Sequence, residues 1–210
     1  MARLFSLPRN AAAAIAVGVL LSGCLVPETI DATIVLEEYK YDMHVETHLA
    51  DPRVVKALAD GHVLTEQEED RMRAEERKAA RMPGFERFTY AGEGRFDLLV
   101  NLTGELDASG SAIGVPNTRA KSQADNFLSI RRMDDGTIEV STPEIPNLAR
   151  ADLDQLGIVL NGTLTVTVTV SGAVIETNAD ETPGFFDGAY RWNISSWDDR
   201  VFLKVNPAVD

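Results

Sequence analysis

Residues 162–170 read GTLTVTVTV, and this stretch decides the fold class of the chain. Threonine alternates with leucine or valine throughout residues 163–170. Because successive side chains of a β-strand point to opposite faces of a sheet, this alternation predicts a strand with one apolar and one polar face. The β-branched side chains of threonine and valine favour the same structure. The chain is therefore expected to contain a sheet that buries one of its faces.

The segments before and after this strand indicate more β structure. Residues 33–49 alternate in a similar way, and a shift of phase at Glu37 and Glu38 indicates a bulge or a turn. Further strands are expected at residues 85–90, 96–102, 127–131, 137–140, 173–176, 189–194 and 201–205. Residues 103–126 are small and polar, which predicts either a mobile loop or a loop that holds a further strand near residues 112–115.

Three segments carry the signals of helices. The pair Asp51–Pro52 has the residue types of a helix start. Thr65 and Glu68 have the spacing of a capping box, which predicts a second, highly charged helix. Residues 147–156 are expected to form a third helix. The sequence therefore predicts an α+β fold, in which two or three helices cover one face of a twisted antiparallel sheet.

Residues 1–23 have the features of a cleaved signal peptide. A basic start precedes an apolar run at residues 11–21, which is too short for the roughly 20 residues of a membrane-spanning helix. The run ends in Leu21-Ser22-Gly23-Cys24, and this cysteine is the only one in the chain. The tetrapeptide resembles the lipobox of bacterial lipoproteins, in which a leucine, a small residue and a glycine or alanine precede the lipid-carrying cysteine.

The lipobox resemblance implies cleavage after Gly23 and a diacylglycerol on the Cys24 thiol, with palmitate as a typical acyl group. Two or three acyl chains on one residue make release from a membrane negligible, since each buried methylene contributes roughly 0.8 kcal/mol. Leu25 follows the cysteine where inner-membrane lipoproteins commonly have aspartate. The protein is therefore expected at the outer membrane, facing the periplasm, in the bacterial cell envelope.

The lipobox interpretation divides the chain into three parts. Residues 1–23 are the signal peptide, residues 24–31 a lipidated tether, and residues 32–210 a single α+β domain. A tether of this length reaches at most about 3.5 Å per residue. The folded domain is therefore expected to lie close to the lipid headgroups.

The C-terminal third resembles the domain of LppM-type bacterial lipoproteins. Members of that family have a strand, then a Gly-x-Val step, a turn with Asn and Gly, and a strand with Trp. Residues 162–170 correspond to the first strand of this pattern. The matching residues here are Gly172, Val174, Thr177, Asn178, Gly188 and Trp192. Some members end in a transmembrane helix, whereas residues 206–210 give this chain a polar end. The resemblance implies an envelope lipoprotein with a lipid or glycolipid as candidate ligand, and it implies no enzyme.

Composition and motifs argue against several functional classes. The chain has 20 basic and 33 acidic residues, and loss of Arg3 and Arg9 with the signal peptide changes the net charge from −13 to −15. Such a surface repels phosphate backbones, so no nucleic-acid partner is expected. His44 and His48 lie on a predicted strand, where four residues span about 13 Å, too far for one metal ion. No nucleophile motif, metal site or cofactor loop is recognised, so neither an enzyme nor a cofactor is expected.

The remaining expectation is a protein that acts by binding. Phe185, Tyr190 and Trp192 are the candidate residues of an apolar groove for a lipid or another amphiphile. Packing of these aromatic side chains in the core is the alternative interpretation. A second functional hypothesis is a structural or assembly adaptor, in which the charged helix over residues 65–82 docks another envelope protein.

Overall fold

The computed structural model describes residues 25–115, 126–145, 147–169, 173–183 and 188–207. These residues form twelve strands and three helices. The strands are β1 (Val26–Pro27), β2 (Thr29–Glu37), β3 (Lys40–Ala50), β4 (Phe85–Gly92), β5 (Arg95–Glu105), β6 (Ile113–Val115), β7 (Leu128–Arg132), β8 (Ile138–Ser141), β9 (Asn161–Thr169), β10 (Ala173–Thr177), β11 (Ala189–Ile194) and β12 (Phe202–Asn206). The helices are α1 (Pro52–Ala59), α2 (Glu66–Ala79) and α3 (Asn147–Gln155). The protein is therefore mostly β.

The strands form two sheets around one hydrophobic core. The large sheet has the order β11-β9-β2-β3-β5-β4, with β1 also paired to β3, and the small sheet has the order β10-β12-β8-β7-β6. Buried side chains of both sheets, such as Ile34 and Leu164 from the large one and Ile130 and Leu203 from the small one, belong to a single cluster. Two sheets that share a core in this way form a sandwich.

The prediction of an α+β fold with helices covering one sheet was wrong. A second sheet, not a layer of helices, supplies the apolar partner of the large sheet. The physical reason is visible in α2, where only Glu75 and Ala79 are buried, which is too little apolar surface to cover a sheet. The helix α2 instead packs beside β4, where Glu76 accepts a hydrogen bond from the backbone N–H of Tyr90 at 3.1 Å.

The prediction of a purely antiparallel sheet was also wrong, because β9 pairs with β2 in parallel. Thr29 lies opposite Asn161 and Glu37 opposite Thr169. At the start of this pair a Cβ atom on Gly162 would overlap the carbonyl oxygen of Ile30, so only glycine fits there. Parallel pairing requires a long crossover, and the chain between β2 and β9 supplies it with nine other elements.

The local signals of the sequence agree with the structure. In β9, Leu164 and Val166 are buried on the inner face, as the alternation predicted. The phase shift near residue 37 is the β2–β3 turn, in which Glu38 has a φ of 51°. Asp51 caps α1, and Thr65 and Glu68 form the predicted capping box of α2. The further strand expected near residues 112–115 is β6.

Candidate functional site

The residues of the predicted lipid anchor, Gly23 and Cys24, lie outside the described residues. The described chain begins at Leu25, and β1 follows immediately: Val26 pairs with Ala50 and Pro27 with Leu49 of β3. Residues 26–27 and 29–31, which belong to the predicted tether, are thus already part of the large sheet. Only Leu25 separates Cys24 from the first strand.

The sandwich therefore has one end that is adjacent to Cys24, and we call it the anchor end. Besides β1, it comprises the N-terminus of α1, the turn at residues 92–94, residues 157–161 and the loop at residues 194–200. Hydrogen bonds join these segments: the Asp51 N–H donates to the Gly94 carbonyl at 2.8 Å, and the Asn161 N–H donates to the Glu28 carbonyl at 3.1 Å.

The loop at residues 195–199 is held closed by one carboxylate. Asp199 Oδ2 accepts hydrogen bonds from the backbone N–H of Ser195 at 2.8 Å and of Ser196 at 3.0 Å, and from the Ser195 hydroxyl at 2.8 Å. The hydrogen bonds from the Ser195 backbone and side chain are the main reason why the pKa of Asp199 is lowered. The loop thus has a fixed shape.

Trp197 lies in this loop and closes the anchor end of the core. Its side chain is buried, and its indole N–H donates to the Ile158 carbonyl at 2.9 Å. Since the loop joins β11 of the large sheet to β12 of the small sheet, Trp197 packs where the two sheets meet. The sequence contains no spacing signal for this role, because the contact to Ile158 spans 39 residues.

A small apolar cleft opens between the two sheets at the anchor end. Its volume is about 30 Å³, which is room for one water-sized or methylene-sized group. The lining residues are Pro27, Ile30, Phe127, Thr142, Pro143, Ile145, Leu160, Ile194, Trp197, Asp199 and Arg200. A longer acyl chain would enter only if side chains such as Phe127 moved away. The cleft is an apolar concavity at the same end of the sandwich as Leu25, the first described residue.

A wider and more polar concavity lies beside it. Its volume is about 370 Å³, and it is lined by Arg150, Ala151, Asp154, Ser196, Trp197 and Asp198. Arg150 forms an ion pair with Asp198 across it. Because Arg150, Asp154 and Asp198 make its wall charged, this concavity offers little apolar surface to a ligand.

The residues of the predicted groove are not assembled on an open surface among the described residues. Tyr190 and Trp192 lie opposite Val166 and Leu164 of β9, on the inner face of the large sheet. Trp192 is 3% exposed, and its indole N–H donates to Asn178 Oδ1 at 2.9 Å. Phe185 lies outside the described residues. The groove stays a prediction, and the two described aromatics pack in or against the core.

The three histidines have carboxylate or amide partners on the protein surface. His48 Nδ1 lies 2.6 Å from Asp97 Oδ1, and His44 Nδ1 contacts Asn101 Oδ1, both between β3 and β5. His62 Nε2 lies 3.1 Å from a carboxylate oxygen of Glu68. Within the described part of the chain, no group of three His, Cys, Asp or Glu residues could hold a metal ion.

The charged helix of the adaptor hypothesis is α2. Hydrogen bonds from the Thr65 backbone and side chain, followed by that from His62, lower the pKa of Glu68 to about 2. Arg73 pairs with Glu69 at 2.6 Å, the pair expected at i and i+4, and Lys78 pairs with Glu75 at 2.6 Å. Arg77 is exposed on the outer surface of the helix.

Comparison with protein-family models and with curated proteins finds no match to this chain. Among the described residues, no helix has the length and apolar character needed to cross a membrane.

Proposed function

We propose that this chain is a lipid-anchored lipoprotein of the bacterial cell envelope, whose β-sandwich acts by binding another molecule and not as an enzyme. The observation that carries the proposal is the sequence Leu21-Ser22-Gly23-Cys24, in which the only cysteine of the chain occupies the lipidation position. The start of β1 at Val26 supports it, because a folded domain follows the anchor after one residue.

Attachment at this point would hold the domain at the membrane surface. Each residue spans at most about 3.5 Å, so Val26 would lie within roughly 7 Å of the Cys24 backbone. In the outer-membrane location that Leu25 implies, the sandwich would face the periplasm. The large sheet would then meet the headgroups through the anchor end.

Metabolic labelling with palmitate tests the anchor. The wild-type chain should incorporate the label, and Cys24→Ser should lose it entirely because no other cysteine can carry the diacylglycerol. Ser22→Ala is the matched control, since a small residue remains at that lipobox position and labelling should persist. Label that persists on Cys24→Ser would contradict the proposal.

A lipid or another amphiphile is the ligand class that we propose for the domain. Support comes from the apolar cleft at the anchor end and from the resemblance of residues 162–192 to LppM-type domains. Burial of acyl methylenes would supply the binding free energy, at roughly 0.8 kcal/mol each. The chain is acidic, so electrostatic attraction to anionic lipids would not drive binding. Because apolar burial would drive it instead, the affinity should increase with acyl length and change little with salt.

Native mass spectrometry of residues 25–210 tests the ligand class. The core of the described chain starts at Ile30, so this soluble form retains it. Protein purified without detergent should carry, or take up, a lipid mass. Ile145→Trp, which fills the cleft, should abolish the adduct, whereas Ile175→Trp at an exposed position outside the cleft should not. An apo mass for the wild type with added phospholipid would contradict this ligand class.

An adaptor role is the second candidate, and the exposed charged surface of α2 favours it. Only two residues of this helix are buried, so most of its surface is open to a partner. In-cell crosslinking would separate the two candidates. A defined crosslinked band that disappears when Arg73, Arg77 and Lys78 are changed to Glu would favour docking, and a pattern that does not change would count against it.

A further inference from the structure

We propose that the anchor end rests directly on the bilayer, so that the strands of the large sheet stand away from the membrane with a fixed orientation. This inference rests on the proposed lipid anchor at Cys24. It adds a defined contact surface, with the exposed side chain of Val159 at the lipid headgroups. The opposite end, at the β2–β3 and β7–β8 turns, would face the periplasm.

The register of the strands shows which end of the sandwich lies next to the start of the described chain. Val26 pairs with Ala50, the last residue of β3, and Ala50 pairs in turn with Arg95, the first residue of β5. Asn161, the first residue of β9, lies opposite Thr29. The ends of four neighbouring strands therefore lie level with the point at which the chain leaves toward Cys24.

The short connection holds the anchor end close to the membrane. One residue, Leu25, joins Cys24 to β1, and both Leu25 and Val26 pack partly against the core. The sheet itself is long by comparison, since the nine residues of β2 span about 30 Å. A roughly 7 Å connection therefore keeps the anchor end at the headgroups, and apolar side chains exposed at that end favour an orientation in which the opposite end points away from the membrane.

Apolar side chains are exposed at the anchor end. Val159 is 45% exposed although both of its neighbours, Ile158 and Leu160, are buried. It lies two residues before Asn161, whose N–H donates to the Glu28 carbonyl just after β1. Val159 thus lies at the same end of the sheet as the half-buried Leu25 and Val26, and burial of these groups in the interface would be favourable.

The charge of the whole protein does not oppose this contact strongly. At an ionic strength of 0.15 M the Debye length is about 8 Å, so charges at the far end, about 30 Å away, are screened from the membrane. At the anchor end Arg95 pairs with Glu28 at 3.0 Å, and Arg53 pairs with Asp51 at 2.8 Å. These pairs reduce the local negative charge, the exposed Glu93 in the turn at residues 92–94 adds to it, and the lipid anchor supplies the attraction.

Site-specific labelling of the full lipidated protein tests the orientation. Cys24 is the only cysteine and its thiol would be blocked by lipid, so an introduced cysteine is the only thiol that a fluorophore can label. Val159→Cys probes the anchor end. Asp134→Cys, in the β7–β8 turn, probes the opposite end, and Ile175→Cys is a control with a similarly exposed apolar side chain. The probe is a phosphatidylcholine vesicle that contains lipids with a nitroxide quencher on the headgroup.

The label at residue 159 should be quenched several-fold more strongly than the labels at residues 134 and 175. Equal quenching at the three positions, in protein that carries the lipid and sediments with the vesicles, would overturn the fixed orientation and leave the anchor intact. Absence of lipid on Cys24 would overturn the anchor and the orientation together. The mass of the purified protein and the sedimentation assay therefore distinguish the two failures.

Discussion

The two ends of the sandwich are each closed by one aromatic residue, and the two closures differ in kind. At the anchor end Trp197 is buried between the sheets, with its indole hydrogen-bonded to the Ile158 carbonyl. At the opposite end Tyr39, in the β2–β3 turn, is half-buried and donates from its hydroxyl to the Gly136 carbonyl at 3.1 Å. The guanidinium of Arg132 lies 3.7 Å from the centre of the Tyr39 ring.

This difference indicates which end resists opening. Apolar burial at Trp197 removes a large ring from water, whereas the contacts of Tyr39 are polar and partly solvated. The end that would bear the membrane anchor is thus the more firmly packed one. Local opening of the sandwich is expected to begin at the far end, where few apolar contacts would be lost.

Trp197→Ala should have the largest effect. Removal of a buried tryptophan leaves a cavity between the sheets and should lower the free energy of unfolding by about 3–5 kcal/mol. Urea denaturation of residues 25–210 measures this loss. Trp197→Phe keeps a ring but loses the hydrogen bond to Ile158, so it should cost clearly less. A loss below 1 kcal/mol for Trp197→Ala would contradict the role of Trp197 as the closing residue.

Tyr39→Leu should have a smaller effect at the opposite end. It removes one hydrogen bond and one cation–π contact, which together contribute about 1–2 kcal/mol. Urea denaturation of Tyr39→Leu, Arg132→Gln and the double variant would give the coupling between the two side chains, expected at about 0.5–1 kcal/mol. If Tyr39→Leu destabilised the protein as much as Trp197→Ala does, the two closures would not differ.

Asp199→Asn should have a pH-dependent effect at the anchor end. Hydrogen bonds from Ser195 lower the pKa of Asp199 in the folded protein, so its carboxylate stabilises the fold above its ordinary pKa of about 3.9. This stabilisation is lost as the pH falls through the lowered pKa. Melting temperatures of wild type and Asp199→Asn should therefore differ at pH 6 and converge as the pH falls below about 4 and through the lowered pKa.

The control for this effect is Asp134→Asn, which removes one exposed carboxylate from the opposite turn. A gap of the same size between wild type and Asp134→Asn at pH 6 would show that net charge, and not the hydrogen-bonded loop, causes the difference. At that end the hydroxyl and backbone N–H of Thr137 lower the pKa of Asp135 to about 2, so Asp135 itself is unsuitable as a control.

The local structure could be predicted from the sequence, whereas the arrangement of the two sheets could not. The alternation in β9 and the caps of α1 and α2 are encoded by neighbouring residues, and each was confirmed. The alternation of apolar and polar residues shows which face of a strand is buried, but it does not show which other strand pairs with it. The parallel pairing of β9 with β2 depends on residues about 130 positions apart, and nothing near Gly162 signals it.

The candidate site shows the same limit. The tetrapeptide that resembles a lipobox is a contiguous pattern, so it can be proposed from the sequence without any knowledge of the fold. The apolar cleft combines Pro27, Ile145 and Trp197, which come from three distant segments of the chain. Phe185, Tyr190 and Trp192 could be interpreted as a groove because sequence periodicity does not show which face of an edge strand is covered. In the structure Trp192 points into the core.

The proposed membrane attachment depends on the chemistry of Cys24, and the mass of the N-terminal peptide of the mature protein measures it directly. We predict a peptide that begins at Cys24, contains none of residues 1–23 and carries the added mass of a diacylglycerol. A peptide that begins elsewhere, or that contains Cys24 with an unmodified thiol, would contradict the anchor and with it the assignment of the anchor end.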